Sequence, residues 1–154
     1  MAERDVTDVD VDELIEIMTE AAQAFIGGDM PRYYELMHHA DDFTLMPPTG
    51  GDVSRDTESA PEQIAAMGRF FKRGECTLEV VETYASGNLA VLVAIEHQHG
   101  EVGDYPDQDW SLRVTLVFRR EESGWRLAHR HADALVHPIT FGHLAELARG
   151  EHGP

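Results

Sequence analysis

Between Asp109 and Val136 the sequence sets an aromatic ring, two imidazoles and a carboxylate at alternate positions: Trp125, Leu127, His129, His131 and Asp133. Side chains alternate along a strand, so an uninterrupted strand gathers all five on one face. That face starts apolar and ends ionisable, which suits the wall of a small-molecule cavity. A histidine near neutral pH takes or gives a proton, and a nearby carboxylate fixes its tautomer and raises its basicity. His131 is therefore the candidate general acid or base, with His129 beside it and Asp133 or Asp42 as its support. Asp42, next to Asp41, precedes a short strand and could enter the cavity mouth as a base.

The facing strand, Arg113 to Arg120, supplies the partners, and the turn Glu122-Ser123-Gly124 decides which. A three-residue loop with Gly124 left-handed pairs Glu121 with Trp125. His129 then faces Val117, His131 faces Thr115 and Asp133 faces Arg113. A two-residue Ser123-Gly124 turn slips the register by one and brings Leu116 and Phe118 to the imidazoles. The first register is preferred, because glycine fits the third loop position and Arg113 meets Asp133. It gathers Arg113, Thr115, His129, His131 and Asp133 on the inner wall of a cavity. Arg113 would clamp a carboxylate, an enolate or a polarised carbonyl. The same residues also suit a structural role, as buried or sheet-edge histidines beside an Arg113–Asp133 ion pair.

His97 and His99 alternate on an earlier strand and could join His129 and His131 in a multi-histidine metal site. The long connection from Gly100 to Gln108 leaves the register of the two pairs open, so no metal is assigned. His38-His39 reads as the end of a short helix, where cations favour the dipole. Tyr34, Met37, Met46, Phe70 and Trp110 suit either a cavity lining or the core; His97 and Thr115 are further candidate ligand contacts. Trp125 reads as a packing anchor. No glycine-rich phosphate loop, nucleophile elbow or thiol–imidazole pair is present, and no cofactor is expected. The single cysteine, Cys76, has no disulfide partner and no metal-finger spacing, and packs in a strand.

The elements that must position these residues follow from periodicity. Asp10 and Glu13 resemble a capping box, and Val11, Leu14, Ile15, Met18, Ala22, Phe25 and Ile26 recur at helical spacing until Gly27-Gly28. Asp29 caps a second helix with Pro31 in its first turn. Phe43 to Met46 reads as a short strand, and Thr49 to Thr57 as a mobile loop. Ser59 and Glu62 form a capping box for a third helix through Phe71 that Gly74 ends. Period-two strands then run from Glu75 to Ala85 and from Leu89 to His99, joined at Ser86-Gly87-Asn88. After the closing pair of strands, Thr140 to Ala148 forms a short amphipathic helix.

Helices followed by strands in meander order predict an α+β domain, with three N-terminal helices packed on one face of a strongly curved antiparallel sheet. The 154 residues make one domain with no repeat or linker. Twenty-nine acidic against twelve basic residues give a formal charge of -17, and protonating every histidine leaves it negative. Such a surface repels phosphate backbones, which excludes nucleic-acid binding. No apolar run approaches the roughly 20 residues of a membrane span, and the first residues carry no signal-peptide pattern. A cytoplasmic protein without membrane contact is expected.

That element order, with Gly124-Trp125-Arg126-Leu127-Ala128-His129-Arg130-His131 as closing strand and Arg113-Val114-Thr115-Leu116-Val117-Phe118-Arg119-Arg120 before it, resembles the SnoaL-like branch of the nuclear transport factor 2-like superfamily. The resemblance covers about residues 9 to 137, and the Gly-Trp-Arg and His-x-His elements are its most specific parts. It implies a cystatin-like cone with a ligand cavity, usually dimerised through the outer sheet face. The functions it implies are an isomerase, cyclase, dehydratase or hydrolase acting by proton transfer on an apolar carbonyl-bearing metabolite, or a non-catalytic binding or assembly homodimer. Ketosteroid isomerases of that superfamily hold an oxyanion with a tyrosine of the first helix. This first helix has none, and Tyr33 and Tyr34 lie in the second, so steroid isomerisation is disfavoured.

Overall fold

The structure is a computed structural model and describes residues 6–55 and 60–151. Helix α1 spans Asp8–Ile26 and starts earlier than the Asp10–Glu13 pattern suggested. Its cap is Thr7: the Thr7 hydroxyl accepts from the Asp10 amide at 3.3 Å, and the Asp10 carboxylate accepts from the Thr7 amide at 3.0 Å. This reciprocal pair satisfies two helix-end donors. Helix α2, Met30–Leu36, opens as expected at Asp29, whose carboxylate accepts from the Arg32 amide at 3.2 Å. Gly28 turns the chain between them at φ +80°, where a Cβ would sit 2.1 Å from the Phe71 carbonyl oxygen. Only glycine fits both the angle and the gap. Helix α3, Pro61–Phe70, is capped at Ala60, whose amide donates to Gln63 Oε1 at 2.9 Å. The expected Ser59 cap lies outside the described residues.

The strands are β1 (His39–Met46), β2 (Phe71–Ser86), β3 (Leu89–Val102), β4 (Gln108–Asp109), β5 (Leu112–Glu121) and β6 (Gly124–Asp133), followed by helix α4 (Phe141–Ala148). Strand β1 begins before the expected Phe43, and α2 ends at Leu36, so His39 is a strand residue rather than a helix-end cation. One six-stranded sheet runs in the order β1-β6-β5-β3-β2, with β4 paired to β3. The expected antiparallel meander is β2-β3-β5-β6, but β1 lies parallel to β6, so the sheet is mixed. Strand direction at an edge depends on where the connection returns, which local pattern does not encode. Strand β4 pairs His99 with Asp109, so the expected long connection folds back as a hairpin.

Alternate residues of β3 and β5 turn toward α1: Ala90, Leu92 and Ala94, then Val114, Leu116 and Phe118, all buried. They pack against Leu14, Met18, Ala21 and Ala22 of α1. Each large side chain of this core contributes about 1.5–3 kcal/mol by burial.

The β5–β6 hairpin follows neither expected loop. Glu121 pairs with Gly124, which leaves Glu122-Ser123 as a two-residue turn. The extra residue sits within the strand: Phe118 pairs with Leu127 and Val117 with His129, so Ala128 is a bulge. The pairs His129–Val117, His131–Thr115 and Asp133–Arg113 therefore form as expected, but through the bulge and not through the turn. A bulge of one residue also reverses the faces beyond it. Trp125 and Leu127 point toward the helices, whereas past Ala128 it is Arg130 and Ala132 that do so, opposite Leu116 and Val114. The single face from Trp125 to Asp133 does not exist.

Candidate functional site

The inward face of β3 reads Ala90, Leu92, Ala94 and then Glu96, an acid at the end of an apolar row. Arg130 reaches it from β6, turned inward by the Ala128 bulge. Its Nη1 and Nη2 donate to the two Glu96 carboxylate oxygens, each at 2.8 Å. The Glu96 side chain is 4 % exposed and that of Arg130 19 %, so the arginine keeps more contact with solvent than the acid. Fork-to-fork geometry is what a buried ion pair needs to offset the hydration that both ions lose.

Tyr33 of α2 and Cys76 of β2 lie within the field of this pair. Burial pushes the Tyr33 phenol up to about 12, against Arg130 and with help from Tyr34 and Glu96. Tyr33 thus keeps its proton at neutral pH and acts as a donor. Burial, then Glu96, pushes the Cys76 thiol up to about 12 as well, against the opposing pull of Arg130. The reactive thiolate is not formed there. For Arg130 burial is the largest influence and disfavours its charge, but Glu96, Tyr33 and Cys76 outweigh it and hold the guanidinium above its ordinary value.

A line of rings leads away from this centre. Tyr34 meets Tyr33 edge-on at 5.1 Å and lies 6.5 Å from His39, which stacks on Phe43 at 4.0 Å. Both ring nitrogens of His39 are shielded from solvent and have no hydrogen-bond partner. Burial, and secondarily His38, hold its pKa below the ordinary 6.5, so the ring is neutral at pH 7. Chemically, the interior offers two donors for a ligand oxygen, Tyr33 and Arg130, and one carboxylate, Glu96.

The residues singled out from the sequence lie elsewhere. Arg113 donates to Asp133 through Nε at 3.0 Å and Nη2 at 3.3 Å. Burial acts most strongly on Asp133 and raises its pKa, but Arg113 and the Leu135 amide bring the carboxyl below its usual range. His129 Nδ1 is 2.8 Å from Thr44 Oγ1, and its ring lies 6.5 Å from that of His131. With Thr115 these residues do form one cluster, on the sheet face turned away from α1. Their expected place on the inner wall is corrected by the Ala128 bulge.

Asp42 is also outside, held bidentate by Arg119 at 3.0 and 3.1 Å, which keeps its carboxyl below the usual range. Met46 is exposed opposite His131, and His97 is exposed and bonded to Glu79 at 2.7 Å. Phe70 is half exposed against Phe71, and the Trp110 indole donates to the Gly100 carbonyl at 3.0 Å beside Tyr105. Met37 and Trp125 are core residues. Of the ligand candidates, Tyr34 alone lies beside Tyr33 and His39.

Sequence reasoning missed Glu96, Arg130, Tyr33 and His39. The one available signal was a lone acid closing the apolar row of β3; Arg130 gave none, because its face depends on the bulge. Among the described residues no three His, Cys, Asp or Glu side chains gather closely enough to hold a metal ion. His99 is instead engaged by Asp107 at 2.9 Å, which raises its pKa above the ordinary 6.5. No helix among the described residues is long and apolar enough to cross a membrane.

The profile of the SnoaL-like domain matches residues 14–136. Among solved structures, a protein of Streptomyces avermitilis, provisionally described as a dehydratase of the NTF2-like family, is similar at a TM-score of 0.67 and 20% identity, over 86% of this chain and 100% of that one. A nuclear transport factor 2-like protein of Salmonella enterica gives 0.66 and 19% identity, over 88% and 98%. An NTF2-like protein with a cystatin-like fold from Novosphingobium aromaticivorans gives 0.62 and 18%, over 90% and 89%. These likenesses establish the cystatin-like α+β fold. Among curated proteins none matches this sequence.

Proposed function

The chain belongs to the SnoaL-like family, and from that premise we propose that its interior binds a neutral, apolar, carbonyl-bearing small molecule and moves a proton on it. The observation that carries this reading is the buried Glu96–Arg130 pair with Tyr33 beside it. Well-packed apolar residues would hold the core at least as well as a buried ion pair, so a pair kept there suits a site. Arg130 and protonated Tyr33 would hold the carbonyl oxygen as it gains charge, and Glu96 would take the proton from the adjacent carbon. Family architecture alone names no reaction.

The test uses 2-tetralone, a neutral apolar ketone, in heavy water. Proton NMR should show its α-protons exchanging faster with the protein than in buffer, and Glu96→Gln should return the rate to that of buffer. Exchange unchanged by the wild-type protein, with the ketone bound, would leave a non-catalytic binder. That second reading draws support from Glu96 itself, because both its oxygens are already engaged by Arg130.

A homodimer through the outer sheet face is part of the same proposal. Val91, Val93 and Ile95 of β3 point outward, with Val117 of β5 opposite Val91 and exposed Tyr84 of β2 on its other side. A second copy covering this stripe would bury apolar surface that water otherwise meets. Sedimentation should report a dimer that Val93→Glu dissociates; a wild-type monomer at micromolar concentration would sink this part.

A further inference from the structure

The Glu96–Arg130 site does not use His39, the residue with two buried side-chain atoms lacking a hydrogen-bond partner among the described residues; Arg120 and Trp125 have one each. A neutral imidazole has one N–H donor and one lone pair, and in His39 both are shielded from water and unpartnered. Buried polar groups are almost always satisfied, so each exception calls for a reason. Strand pairing offers none: His39 sits opposite Leu127, and it is the neighbouring His38 carbonyl that accepts from the Leu127 amide. The ring is held in place by its stack on Phe43 and by Tyr34 nearby. Tyr34 and Tyr33 in turn join it to the ion pair through ring steps of 6.5 and 5.1 Å.

We propose that His39 is a second ligand-binding position of the same interior, taking a hydroxyl group at the far end of the carbonyl-bearing molecule. A hydroxyl is the smallest neutral group that both donates and accepts, which matches the two idle nitrogens. Burial keeps the imidazole neutral, so it retains the acceptor that a protonated ring would lose. A carboxylate or ammonium group at this end is disfavoured, because it would enter a place already costly for charge. The proposal rests on the reading of Glu96–Arg130 as a ligand site and adds the second functional group of that ligand.

The probes are 2-tetralone and its 5-, 6- and 7-hydroxy derivatives, titrated by calorimetry. At least one hydroxyl isomer should bind about threefold to tenfold tighter than 2-tetralone, the range of one added hydrogen bond. The gain should vanish in His39→Phe, which keeps a ring for the stack on Phe43, so that this variant binds the hydroxyl isomer no tighter than it binds 2-tetralone. In the wild-type protein, that isomer should shift the ring 15N resonances of His39 and 2-tetralone should not, a readout that needs no variant. If 2-tetralone binds but no isomer gains, if the gain survives in His39→Phe, or if the ring resonances stay still, the role of His39 is refuted and the carbonyl site stands. If no tetralone binds, both fall together.

Discussion

Removing one member of the Glu96–Arg130 pair should damage the fold far more than removing both. In Arg130→Met the Glu96 carboxylate, 4 % exposed, loses both hydrogen bonds and stays out of reach of water. Leaving a buried charge unpaired costs about 3–5 kcal/mol. At this chain length each kcal/mol lowers the melting temperature by about 2–4 °C, so the loss should be roughly 6–20 °C. Glu96→Leu should cost less than Arg130→Met, because Arg130 at 19 % exposure can regain some hydration. The double variant Glu96→Leu with Arg130→Met leaves no charge to desolvate and should fall between neutral and about 4 kcal/mol more stable than the parent. Urea and thermal unfolding followed by circular dichroism at pH 7 measure all three. Strong non-additivity, with a coupling of roughly 3 kcal/mol or more, is the expected signature. Single variants costing under about 1 kcal/mol would mean that the pair behaves like a solvated surface pair. A double variant as damaged as the sum of the singles would refute the electrostatic argument altogether.

Gly28→Ala should cost at least about 1–3 kcal/mol in urea unfolding, since φ +80° is strained for alanine and its Cβ would meet the Phe71 carbonyl. Asp109 should titrate near about 2, held down first by Ser111 and then by His137. Because its folded pKa is depressed, the small stability it adds is present above the ordinary 3.8 and is lost as pH falls toward 2; in Ser111→Ala, carbon-detected NMR should find the midpoint moved up. His131→Ala removes an exposed ring and should change unfolding free energy by no more than about 0.5 kcal/mol; a loss of several kcal/mol would contradict its outward placement.

Local rules were enough for much of this molecule. The apolar spacing from Leu14 to Ile26, the Asp29 cap, the Gly87-Asn88 turn and the period-two strands each rest on neighbours within a few residues, and so does the α+β class that their order implies. Errors of the same local kind were small: the capping box at Thr7 and Asp10 lies one turn upstream of the one first identified. The site was different. His129, His131, Arg113 and Asp133 were grouped through a three-residue turn that does not form, and the Ala128 bulge restores the same strand pairs. Which side of the sheet they occupy depended on one residue, Ala128, and no sequence rule marks an alanine as a bulge. A single inserted residue exchanges the two faces of everything after it, so the histidines went outward and Arg130 went inward. Its pairing with Glu96 then joins residues 34 positions apart on strands that are not neighbours. The sequence determined most elements and the meander of the four long strands; only the tertiary structure set β1 beside β6 and decided which side chains are taken out of water, because that depends on the summed register of the whole sheet against α1.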